Sequence, residues 1–77
     1  MAIDFNDISV EQKRNILQQR ITQFAAEAYQ HTLNRETCVR LEDEDGIASS
    51  DNALNVINTA LAVHREELNS LPAPTEE

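Results

Sequence analysis

Apolar side chains along the first half of the chain return at helical spacing. Leu17, Ile21, Phe24 and Ala28 alternate by steps of four and three, and Ile16, Ala25 and Thr32 widen the stripe on one side. A second flank carries Ala26, Tyr29 and Leu33. Ser9 followed by Gln12 three residues later makes a capping box, with Glu11 favourably placed in the first turn. The pattern therefore predicts a helix over residues 9–42, with Asn34 marking where its apolar series thins to Cys38 and Leu41.

Past Leu41 the run Glu42, Asp43, Glu44, Asp45 opposes the negative end of the first helix, and Gly46 is suited to a left-handed turn. A turn is thus expected over residues 43–50. Ser49, Ser50 and Asp51 offer caps for a second helix over residues 51–71, whose seam is Leu54, Ile57, Leu61, His64, Leu68 and Leu71. Ala53, Val56, Ala60 and Val63 flank that seam, and Pro72 and Pro74 end it.

The expected fold is all-α: an antiparallel two-helix hairpin with a long N-terminal helix and a shorter second one, forming a single domain over residues 1–71 and a frayed acidic, proline-rich tail over 72–77. With the bend near Ile47, His31 meets His64, Cys38 meets Ile57 and Phe24 lies opposite Leu71. The second helix ends there. Val10, Ile16, Leu17, Ile21 and Phe24 are then the expected oligomer or partner interface, because a bare amphipathic half-helix is marginal in water. Ile3 and Phe5 are too few to cover it.

Composition narrows the function. At 77 residues the chain is near the lower size limit for independent folding. Its one cysteine, Cys38, makes no intrachain disulfide and no CxxC zinc site, which fits a reducing compartment. No apolar run is long enough to span a bilayer, and MAIDFNDIS lacks the features of a signal peptide, so a cytoplasmic location is expected. A net charge of −8 argues against nucleic acid and anionic membranes as partners. The acids concentrate in the expected turn and at the C-terminus, while residues 11–40 are weakly basic.

Candidate chemistry is sparse. His31 and His64 at one level of the hairpin would hold a metal only with further protein ligands, so the expected role is a polar layer that sets register. Aligning Gly46 with the obligatory glycine of a calcium loop leaves Leu41 at the first ligand position and Asn52 where a bidentate Glu is needed. Cys38, beside Ile57, reads as a small hydrophobe without an activating base. With one glycine there is no phosphate cradle, and no triad or paired acids can be placed, so neither an enzyme nor a cofactor is expected. Arg14, Arg20, Tyr29 and Arg35 are the candidate contacts for an anionic ligand if several helices meet.

The stretch Ile16-LQQRITQFAAEAYQHTLN-Arg35, followed by LAVHREELNSLPAP, resembles small uncharacterised proteins encoded by tailed phages of marine cyanobacteria. The resemblance spans most of the chain and implies a viral protein acting in the cytoplasm of a bacterial host. It carries over no activity and no site residue. The expected function is a non-enzymatic accessory protein, a helical homo-oligomer that binds a host or viral protein. The alternatives are a counter-defence sponge that holds a nucleotide immune signal between subunits, and a minor virion component.

Overall fold

The computed structural model describes residues 5–72, and within them two helices pack against each other with no strand. Helix α1 is Val10–Arg40 and helix α2 is Glu44–Ser70. The capping box is present: the Ser9 side chain accepts from the Gln12 backbone N–H at 3.1 Å, and the Gln12 side chain accepts from the Ser9 N–H at 2.9 Å. Helix α1 then runs through Asn34 to Arg40 without a break. Of the expected tail over 72–77 only Pro72 is described, and residues 73–77 and the expected cover from Ile3 lie outside the described residues. Phe5 is within them and is exposed, its carbonyl accepting from Ile8 N–H in a turn before the helix.

The turn is shorter and earlier than the sequence suggests. Leu41 caps α1, Glu42 takes a left-handed φ of 57°, and Asp43 already caps α2, so the connection is three residues rather than 43–50. The bonds Glu42 N–H to Val39 C=O and Asp43 N–H to Cys38 C=O close a Schellman motif. The acids expected to repel the end of α1 serve the start of α2 instead. Asp43 accepts from Gly46 N–H at 3.0 Å, and Glu44 and Asp45 stand in the first turn, where the helix dipole favours negative charge.

Gly46 is therefore a helical residue, not the left-handed one. A Cβ at this position would lie 2.5 Å from Cys38 Sγ and 2.6 Å from Asp43 Oδ2, so the missing side chain lets α2 start hard against α1. With the bend moved back towards Asp43, α2 gains seven residues at its N-terminus, and the expected mismatch in length shrinks to 31 against 27 residues.

The new bend shifts the register. Arg35 pairs with Asp51, the Phe24 ring meets the His64 ring at a centroid distance of 4.9 Å, and Arg14 Nη2 donates to the Pro72 carbonyl. Facing residue numbers add to about 86 rather than about 95. The start of α1 is thus braced by the end of α2, and the two helices are antiparallel partners over nearly their whole lengths. Half-buried positions on α1 recur at steps of three and four from Arg14 through Leu17, Ile21, Phe24, Ala28, His31 and Arg35 to Cys38. Their counterparts on α2 run from Ile47 through Leu54, Ile57, Leu61, His64 and Leu68 to Leu71.

One seam between two helices buries little. Among the described residues only Ile57 and Leu61, each 7% exposed, form a buried apolar core, beside Ser50 at 7%. No residue of α1 is buried. The Cα extents of 56 × 35 × 14 Å give a layer one helix thick. Its accessible surface, 6304 Å², exceeds by about 1,600 Å² the roughly 4,700 Å² expected of a compact chain of 8.7 kDa.

Candidate functional site

The residues expected at the interface divide. Leu17, Ile21 and Phe24 belong to the half-buried face of α1 that meets α2, because α2 reaches the level of Arg14. They are seam residues within one chain, which corrects the reading of the N-terminal half-helix as unpartnered. Val10 and Ile16 remain exposed at 39% and 51%, at the open end of the hairpin. Ile16 lines an open concavity of about 370 Å³ with Asp7, Ile8, Gln12, Asn15 and Gln19. Its amides can exchange hydrogen bonds with a backbone, but it brings together no acid and base.

The two histidines do not meet. His64 lies edge-on to Phe24 at an interplanar angle of 69°, and the register puts His31 at the level of Leu54 and Ile57. His64 Nδ1 is 2.7 Å from the Ala60 carbonyl; a carbonyl only accepts, so Nδ1 carries the proton. The polar layer expected of His31 and His64 is replaced by a cluster in which Arg20 sits 4.8 Å above the Phe24 ring and His64 makes a T-shaped contact with it. Among the described residues no group of three or more His, Cys, Asp or Glu is placed to hold a metal ion. No helix among them is long and apolar enough to cross a membrane.

The candidate ligand contacts are dispersed. Arg14 is engaged by Pro72, Arg20 by Phe24 and Arg35 by Asp51, while Tyr29 is exposed. From Arg14 to Arg35 is about 30 Å along a helix, so one chain does not converge them on one small molecule. Arg35 holds its proton more firmly than an ordinary arginine, first because its guanidinium donates to the Asp51 carboxylate and second through the attraction of that charge. A raised pKa gives stability that is complete below the ordinary arginine value and lost only above it. The Arg35 guanidinium is therefore charged throughout the neutral range.

What remains on the surface is apolar area on the outer faces. On α1, Tyr29 is 67% and Leu33 50% exposed, next to Ala26 on the side away from the seam. On α2, Val56 is 61% and Val63 57% exposed, with half-buried Ala53 and Ala60 between them and the seam. The sequence pattern already places Ala26, Tyr29 and Leu33 on a flank of the first helix and Ala53, Val56, Ala60 and Val63 beside the second seam. It does not reveal that the seam uses up Leu17, Ile21 and Phe24 while these flanks stay exposed, because that depends on where the chain turns.

No model of a protein family, no curated protein and no solved structure matches this chain.

Proposed function

We propose that this chain is a non-enzymatic interaction module, a helical hairpin that completes its fold by self-association and binds a second protein through the face left free. The observation that carries the reading is the distribution of apolar side chains: Tyr29, Leu33, Val56 and Val63 are each at least half exposed, whereas among the described residues only Ile57 and Leu61 form a buried apolar core. Exposed apolar area of this kind on a layer one helix thick is the surface that protein partners cover. Among the described residues, polar groups that face the seam help to position the helices: Arg35 pairs with Asp51, Arg14 with the Pro72 carbonyl and His64 with the Ala60 carbonyl. The resemblance to small phage proteins supplies the setting, an accessory protein in a bacterial host whose partner is a host or viral protein.

Photo-crosslinking from the outer face of α1 tests the partner-binding half of the reading. A photoreactive phenylalanine analogue in place of Tyr29, in the full chain expressed in a bacterial cell, is expected to give one discrete adduct heavier than a self-adduct. The same analogue in place of Gln30, next along the helix, should give much less of it. Equal, diffuse labelling from both positions would overturn the reading.

A further inference from the structure

We propose that α2 pairs antiparallel with α2 of a second copy of this chain, through the flank formed by Ala53, Val56, Ala60 and Val63. This rests on the reading of the chain as an assembling module and adds the face, the orientation and the occupant. The flank repeats every seven residues, with Ala53 and Ala60 as one pair and Val56 and Val63 as the other, so small and β-branched side chains alternate along it. Alanines let helix axes approach closely, and the exposed valines supply the side chains to fill the gap.

Self-complementarity selects the second copy. A two-fold axis at the level of Asn58 sets Val56 opposite Ala60 of the second copy and Ala53 opposite its Val63, large against small at every contact. The same patch is used twice, as a closed dimer requires. Charge selects the antiparallel direction. Residues 52–64 contain no formally charged side chain, in keeping with the charge depletion of interface cores. Beyond them, an antiparallel pair sets Glu67 opposite Ser49 of the second copy, whereas a parallel pair would set Glu67 on Glu67 and Asp45 on Asp45.

The flank is open to a second copy, with Val56 61% and Val63 57% exposed. The stripe on α1 is a poorer site for self-pairing, because Glu36 and Arg40, joined by an ion pair, close it at one end and Gln18, Gln19 and Thr22 at the other.

Directed disulfides test face and orientation together. In a Cys38→Ala background, Ala53→Cys and Val63→Cys are made as two separate full-length proteins, checked for helix content, then studied alone and as a refolded mixture under mild oxidation. The two positions are about 15 Å apart along one helix, so only a second copy brings them together. The mixture is expected to form disulfide dimers about tenfold faster or more than either protein alone, as effective concentration in a preformed pair dictates. Equal rates in all three samples, or faster dimers from either protein alone, would overturn the proposal. Because the photo-crosslink from Tyr29 does not depend on α2, its persistence alongside a failed disulfide test would reject this interface and leave partner binding standing.

Discussion

The two long sides of α2 carry different kinds of apolar residue. Towards α1 it presents Leu54, Ile57, Leu61 and Leu68, and on the adjoining flank Ala53, Val56, Ala60 and Val63. Long side chains reach across to a partner whose own face is interrupted by Arg14, His31 and Arg35, and they cover it only in part. Short and branched side chains bury little against α1, but they suit the close approach of another helix. The seam thus supplies the hairpin's topology, while the flank supplies a second, uncovered surface.

The comparison predicts its largest contrast from two truncations. Leu61→Ala removes a side chain from the buried core and should cost about 2–5 kcal/mol, enough to unfold a hairpin of this size, in urea titration followed by circular dichroism. Val63→Ala on the flank should leave the urea midpoint of a dilute, dissociated sample nearly unchanged. A similar loss in both would erase the distinction between seam and flank.

A smaller effect sits at the turn. Gly46→Ala gains helix propensity but drives a Cβ into Cys38 Sγ and the capping carboxylate of Asp43, so a net loss of about 1 kcal/mol is expected. Adding Cys38→Ala should restore part of it; additive losses would show that the two helices do not approach here as described. Glu42→Gly, at the left-handed position, should instead raise stability by about 0.5–1 kcal/mol in the same titration.

The smallest effect belongs to the interhelical ion pair. Both Arg35 and Asp51 are about half exposed, so Arg35→Ala should lower the urea midpoint only slightly, and by less in high salt. Chemical denaturation at low and high ionic strength measures it. A larger, salt-insensitive loss would mean that the seam depends on this pair more than on its leucines.

Both helices were legible from periodicity, and the start of the first from its capping box. The turn was not, for a physical reason. A run of acids is unfavourable at the end of one helix and favourable at the start of the next, and the sequence does not say to which end Asp43, Glu44 and Asp45 belong. Gly46 compounded the ambiguity, since glycine serves both a left-handed turn and a close helix approach, and here Glu42 takes the left-handed conformation. A shift of the bend moves every facing pair. A bend near Ile47 sets His31 against His64 and leaves Leu17 and Ile21 uncovered, whereas the register of the structure gives His64 to Phe24 and covers the first turns of α1. The outer flanks were visible as residues, but their standing as the free surface follows only from the register.

The central claim, that the seam folds the chain and the flank of α2 assembles it, is tested most directly by sedimentation equilibrium with far-ultraviolet circular dichroism on the double variant Val56→Glu, Val63→Glu, beside the unaltered protein and Ile21→Glu. The unaltered chain is expected to sediment as a dimer or larger assembly, the double variant as a monomer that keeps most of its helix, and Ile21→Glu is expected to lose helix. An unaltered chain that sediments as a monomer, or a double variant that keeps its mass, would contradict it.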